Sequence, residues 1–493
     1  MATVVANTDF VWHPAGDTGR QATTISVLPE NVLLEIFYFY KEDFDIPSHV
    51  WKWHLLVHVC RGWRQVVFAS KLRLDLRILC TSTTPVWKYL EIWPALPIHV
   101  YYMQQLHPWQ HCYRASYKDN IVPALELADR VCVITLHANG SELEKISTVM
   151  RKPFPVLTSL QITSERHWIT PALPTEFLGG SAPRLRSIFL FGIPFPALST
   201  LLLTTSDLVS LDLRNIPRTG YISPEAMVVG LAALPRLHTF CLGFRSATPR
   251  PDRIHPPPAT RTILPALTHL YFKGASEYLE DLVARIDAPQ LDKFIICYLN
   301  QLVDFQVARL SIFIVRSVGP KITPFRHALV TFGNHRVTFR TYLHANITRS
   351  SRGPHYAETS VSCHGIEWQV SHIAQVVSHF SETLSNVVHL KLDVAYDIQL
   401  KGTDDVEWLH LFQQFTTVQT LHVSRELAGH VALALEAIDW ETVAEALSSL
   451  DLIFLGGRPT SSIEKFVAAR QLSGRPVTVT NEERVFYKSL VSE

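Results

Sequence analysis

The chain is short of charge. Asp, Glu, Lys and Arg supply 18% of its 493 residues, where about a quarter is usual, and 45 basic residues nearly cancel 44 acidic ones. No block of like charges stands out, so the electrostatic footprint of a nucleic-acid or anionic-membrane binder is missing. Missing too is an apolar run of the roughly 18 residues that a membrane span needs; the best candidate, around Leu310 to Val318, is broken by Arg309 and Arg316. Met1 to Thr24 holds Asp9 and Asp17 where a secretory signal would be apolar, and reads as a disordered lead, residues 1–24. Ala2 excludes myristoylation, and Leu490 to Glu493 offers no cysteine for prenylation. The seven cysteines, Cys60, Cys80, Cys112, Cys132, Cys241, Cys297 and Cys363, include no C-x-x-C pair. That pattern fits reduced thiols, and the expected location is cytoplasmic or nuclear.

Catalytic signatures are scarce as well. There is no phosphate-binding Gly-Lys loop, no G-x-G-x-x-G and no G-x-S-x-G elbow. His111-Cys112 with Lys118 has the outline of a cysteine phosphatase loop, but that chemistry needs a bidentate Arg and a glycine-bearing cradle, and Tyr113 to Tyr117 contains no Gly. His54 and His58 share a helical face at metal-ligand spacing without the Glu of His-Glu-x-x-His, and His107 with His111 meets the same objection. No catalytic residue, cofactor or metal is expected.

What is present is core. Apolar residues make up 47% of the chain, and its length exceeds the roughly 100–200 residues of one ordinary domain. Leu28-Pro29-Glu30 opens an amphipathic stretch with Val32, Leu33, Ile36 and Phe37 at helical spacing, with Ser26 as a cap. A second apolar stretch, Trp51 to Phe68, has a stripe wider than one face. Two or three helices over about 45 residues cannot bury that much apolar surface among themselves, so an outside surface is needed.

Leu28-Pro29-Glu30 with Leu33 and Ile36, followed by Val59-Cys60-Arg61-Gly62-Trp63-Arg64, resembles the F-box. Arg73 to Leu76 and Trp93 to Ile98 resemble what fungal F-box proteins of the leucine-rich-repeat type place next. The linker Lys41 to Val50 is longer than the family's. The resemblance implies docking on a Skp-family adaptor, and through it on a cullin and a RING subunit. By position, Leu28, Pro29, Leu33, Ile36, Val59 and Trp63 would make that contact.

Behind this segment a phrase recurs: Pro, any residue, apolar, two residues, apolar, one residue, apolar. It begins at Pro155, Pro183, Pro235, Pro265 and Pro289. With 30 prolines in the chain, about one accidental match is expected; Pro196, too close to Pro183 to start a unit, fills that role. Units without the proline occur at Val131, Leu208, Val387, Val418 and Leu447. Between Val131 and Leu291 the steps of roughly 23 to 30 residues are close to the leucine-rich-repeat period. The segments between read as helices: Glu142 to Met150, Glu277 to Ile286, and one capped at Ser223-Pro224-Glu225. These units lack the family's Asn or Cys three residues after the last leucine. A strand and a helix cannot bury both apolar faces alone, so neighbouring units must stack. Between Asp304 and Ile366 the phrase lapses, and Ala328 to Phe332 with Arg336 to Thr341 reads as a hairpin. Thr248 to Pro258 and Thr348 to Ser362 read as exposed loops.

The expected fold is therefore α/β (α+β): an N-terminal helical F-box, residues 25–75, a connecting segment, 76–125, and an irregular leucine-rich-repeat-like solenoid, 126–480, with loops near 246–262 and 347–362 and a tail from 481 to 493. Polar positions beside the strand leucines would form a target-binding face. Asp212, Arg214, His269, Tyr271, Lys273, His389, Lys391 and His422 are its leading members, in a row with Ser159, Gln161, Ser210, Thr239, Lys293, Asp393 and Thr420. The expected role is the substrate-recognition subunit of a Skp–cullin–F-box ubiquitin ligase, with a protein target and neither nucleic acid nor membrane as partner. Two other readings stay open: a scaffold that holds the adaptor without a cullin, and an enzyme using Cys112 or an unrecognised site.

Overall fold

The computed structural model describes residues 28–42, 52–71, 73–80, 85–93, 95–102, 118–164, 170–247, 260–299, 307–318, 325–342, 356–362, 366–380, 384–395, 405–436, 447–457 and 460–481. The chain divides into two compact units, Met1–Leu79 with Pro94–Pro97, and Cys80–Trp93 with Ile98–Glu493. The expected lead and nearly all of the expected tail lie outside the described residues, as do residues 248–259.

The first unit contains three helices, α1 (Glu30–Glu42), α2 (Lys52–Val59) and α3 (Arg61–Ala69). Pro29 sits directly before α1, and its carbonyl accepts from the amides of Val32 (3.0 Å) and Leu33 (3.1 Å). A proline serves there because no helical partner exists for an amide at that position. The apolar stretch read from Trp51 to Phe68 is two helices, divided at Cys60. That residue is extended (φ −157°, ψ 171°), and its Sγ accepts from the Trp63 amide at 3.4 Å, capping α3. Arg64 Nε donates to the Val57 carbonyl at 2.9 Å, satisfying one of the open acceptors at the end of α2. Leu33, Leu34 and Phe37 of α1 form a core with Trp53, Leu56 and Val57 of α2 and Val67 of α3, all buried. Phe37 meets Trp63 with ring centroids 4.7 Å apart, and Trp53 Nε1 donates to the Arg77 carbonyl at 3.1 Å.

The second unit is mixed α/β. Its helices are α4 (Val86–Ile92), α5 (Lys118–Leu125), α6 (Gly140–Val149), α7 (Leu198–Leu202), α8 (Pro224–Ala232), α9 (Ser276–Ala284), α10 (Ala308–Val318), α11 (Ile366–Ser378), α12 (Asp405–Phe412), α13 (Ala428–Glu436) and α14 (Ser461–Leu472). Among its described residues a large open sheet has strands β1 (Ile98–Tyr102), β2 (Val131–His137), β3 (Ser159–Thr163), β4 (Ser187–Phe191), β5 (Ser210–Ile216), β6 (Thr239–Phe244), β7 (His269–Gly274) and β8 (Lys293–Tyr298). It continues with β9 (His327–Phe332), β10 (Arg336–Tyr342), β11 (Tyr356–Ser362), β12 (His389–Val394), β13 (Thr420–Val423), β14 (Leu452–Leu455) and β15 (Thr478–Asn481). From β1 to β8 each strand pairs in parallel with the next in sequence, and the same holds from β12 to β15. The expected connector 76–125 thus supplies the sheet with β1.

The recurring proline has a plain physical reason. In each phrase it is the second residue of a four-residue turn whose last amide bonds the first carbonyl: Leu157 to Phe154 (3.2 Å), Leu185 to Ala182 (3.1 Å), Leu237 to Leu234 (3.2 Å), Leu267 to Leu264 (3.3 Å) and Leu291 to Ala288 (3.1 Å). Proline favours that position because its φ is already set and no amide is required. The residue after each turn then bonds to its counterpart one unit back, in the series Arg186 to Thr158, Val209 to Arg186, His238 to Val209, Thr268 to His238 and Asp292 to Thr268. Pro196 makes the same turn, Leu198 to Phe195 (3.2 Å), but leads into α7 and starts no strand.

The segment where the phrase lapses holds the expected hairpin. β9 and β10 are antiparallel, with Val330 opposite Phe339. One expectation is corrected here. The polar stretch read as a loop through Ser362 contains strand β11, which lies between β8 and β10 in the sheet, so the order runs β8-β11-β10-β9-β12. Its alternation was hidden because its inward residues are small or polar: Ala357, Thr359 and Val361 are all buried, and Ser360 Oγ donates to the Ile296 carbonyl at 3.4 Å.

Along most strands buried and half-exposed residues alternate, so one face of the sheet is covered and the other open. The covering helices reach the strands through ring contacts such as Phe272 with Tyr278 of α9 (5.8 Å) and Phe332 with Trp408 of α12 (5.4 Å). Neighbouring helices are tied to one another as well. Glu280 of α9 accepts from the amides of Arg309 (2.8 Å) and Leu310 (2.9 Å), closing the first turn of α10.

Candidate functional site

Two surfaces draw attention, one in each unit. On α1, Leu33, Leu34 and Phe37 face the core, whereas Val32, Ile36 and Phe39 are exposed, as is Leu28 two residues ahead of the helix. Val32, Ile36 and Phe39 follow at intervals of four and three residues, which places them along one side of the helix, and Leu28 precedes them at the same spacing. Phe39 is 67% exposed, and Val59, the last residue of α2, is 57% exposed. Of the residues that the F-box resemblance singles out, Leu28, Pro29, Ile36 and Val59 lie on the surface, Leu33 is in the core, and Trp63 is half-buried against Phe37. Sequence reasoning passed over Phe39 and Leu55, both largely exposed. The signal for Phe39 was the continuation of the Leu28, Val32, Ile36 spacing, masked because the opposite side of the helix is equally apolar.

The second surface is the open face of the sheet. Asp212 on β5, Cys241 on β6 and Tyr271 on β7 share one register row. Arg214 grips Asp212 with a two-pronged contact, Nε to Oδ1 and Nη2 to Oδ2, both 2.8 Å, and lies over the Tyr271 ring at 5.1 Å from its centre. The Asp212 bond raises the guanidinium pKa further above its ordinary value. Burial raises the Tyr271 phenol, while the positive fields of Arg214 and Arg336 pull it the other way. His269 and Lys273 flank Tyr271 on the same strand.

His389, Lys391 and His422 form a second group. His389 opposes His327 with rings stacked at 4.6 Å, Lys391 opposes His422 in register, and His422 stacks on Phe454 at 4.4 Å. Burial first, and then the nearby His422 and Arg326, lower the His389 pKa. The two expected groups are separated by β8, β11, β10 and β9. The inserted strands contribute open-face residues that sequence reasoning missed: Glu358 of β11 bonded to Arg340 of β10 at 2.9 Å, and Leu329 and His327 of β9.

The suspected Cys112 loop and His107 with His111 lie outside the described residues. His54 has its pKa lowered to about 4, chiefly by burial and then by His58, so its ring is neutral at pH 7. Among the described residues no group of three His, Cys, Asp or Glu side chains could hold a metal, and no helix is long and apolar enough to cross a membrane. Compared with protein-family models and with curated proteins, the chain shows no significant match.

Proposed function

We propose that this chain is the substrate-recognition subunit of a cullin–RING ubiquitin ligase: an F-box in the first unit docks a Skp-family adaptor, and a leucine-rich-repeat-like solenoid in the second unit holds a protein target. The observation that carries the reading is the exposed stripe Val32, Ile36 and Phe39, with Leu28 just ahead of it, on a helix whose opposite side already fills its own core. A contiguous exposed apolar patch of this kind marks a protein contact. It coincides with the Leu-Pro element, and Val59 of the Val-Cys-x-x-Trp element is exposed with it. In the second unit, two runs of parallel strands in sequence order, bridged by the antiparallel β9 to β11, leave one face open as a broad surface for a target.

The chain itself makes or breaks no bond in this account; it brings a target to enzymes carried by its partners. Affinity-tagged full-length chain should co-purify with the adaptor and the cullin together. Recovery of adaptor without cullin would make the protein an adaptor-bound scaffold, and recovery of neither would end the reading.

A further inference from the structure

Charge is spread unevenly over this molecule. The whole chain carries a net charge of +1. On the open face between β5 and β12, however, the cations Arg214, Lys273, Lys293, Arg336, Arg340 and Lys391 outnumber the acids two to one. Those acids, Asp212, Glu358 and Asp393, are already engaged by Arg214, Arg340 and Lys391 of the same face, at 2.8, 2.9 and 3.5 Å. Lys273 and Arg336 meet no carboxylate among the described residues. Tyr271, an aromatic ring with Arg214 over it and the field of Arg336 reaching it, lies within this surplus. Arg and Tyr are among the residue types that carry most binding energy in protein interfaces.

We infer that this face takes an acidic, Asp- and Glu-rich segment of a target protein, laid across the strands over Tyr271. The inference deepens the target-holding role proposed above and rests on it for its biological setting. Seven strand spacings separate Arg214 from Lys391, about 34 Å at the usual spacing, which about ten extended residues would span. A few carboxylates in such a segment match the positive surplus. A nucleic-acid strand would set about ten phosphates over the same distance, against a chain whose pI is 7.8, so a peptide is the better match.

Fluorescence anisotropy of labelled twelve-residue peptides on the full chain tests this, with alternating Glu and Ser in one peptide and alternating Gln and Ser in the other. The Glu peptide should bind at least tenfold more tightly at low salt, and the preference should fade as salt rises. Lys273→Glu with Arg336→Glu should abolish the preference. The neutral pair Lys273→Gln with Arg336→Gln should weaken it without adding repulsion, and Lys145→Glu on the exposed side of α6 should leave it intact. Equal binding of the two peptides, or an unchanged preference in both double variants, overturns the inference. So does displacement of the Glu peptide by a twelve-nucleotide oligothymidylate at equal concentration. Adaptor binding measured on the same samples separates the two claims: its loss with peptide preference retained sinks the ligase reading alone, and the reverse sinks the acidic-segment inference alone.

Discussion

Individual side chains in the first unit do two jobs that the sequence does not distinguish. Leu33 and Ile36 stand three residues apart in the same motif, yet one is buried and the other exposed, because α1 is apolar on both sides and only packing decides which side is covered. Trp63 belongs to the motif and also supports Phe37, so truncating it would loosen the unit as well as alter its surface. His54 offers a cleaner probe. Its pKa is about 4 in the folded chain against 6.5 when free. Between those values the unfolded chain takes up a proton that the folded chain refuses, so stability is full above about pH 6.5 and falls as pH drops toward 4. Hydrogen exchange of the α2 amides, corrected for intrinsic rates, should therefore show less protection at pH 5 than at pH 7, and His54→Gln should flatten the difference. Equal protection at the two pH values in the unaltered chain would contradict the assignment.

At the scale of elements, what was legible in the sequence was what local chemistry dictates. Proline at the second turn position, leucines at fixed offsets and the Ser223 cap with Pro224 each announce their structure without help from distant residues. Strand β11 was not legible, because Thr359 and Ser360 are buried by neighbours on both sides and not by their own hydrophobicity. The division at Cys60 was equally hidden, since a cysteine acting as a cap leaves no compositional mark. The turn Thr205-Ser206-Asp207-Leu208 closes with Leu208 to Thr205 at 3.0 Å and matches its proline-bearing neighbours. Ser206→Pro should then stabilise the second unit by about 0.4–1 kcal/mol, by restricting the unfolded chain. Thermal melting or urea unfolding reads the effect, and a lower midpoint would show that this turn departs from the others.

For the whole molecule, the proposed function gives one task to each unit. Residues on the open face are spread over strands far apart in sequence, and only the register of the sheet collects Arg214, Tyr271, Arg340 and Lys391 into one surface. Sequence reading could name several of them, and the hairpin that lies between, but could not see strand β11, which joins that hairpin to β8. The exposed stripe, by contrast, is contained in one helix and its flank, which is why most of it could be read from spacing alone. The central claim is that this stripe binds a Skp-family adaptor. Titration of purified adaptor against the full chain, compared with an Ile36→Glu and Val59→Glu variant, tests it most directly. Both substitutions are at exposed positions, so the fold should be retained, as circular dichroism can verify. The account predicts a one-to-one complex that the variant weakens at least a hundredfold, about 2.8 kcal/mol; equal affinity of the two chains, or no complex with either, would contradict it.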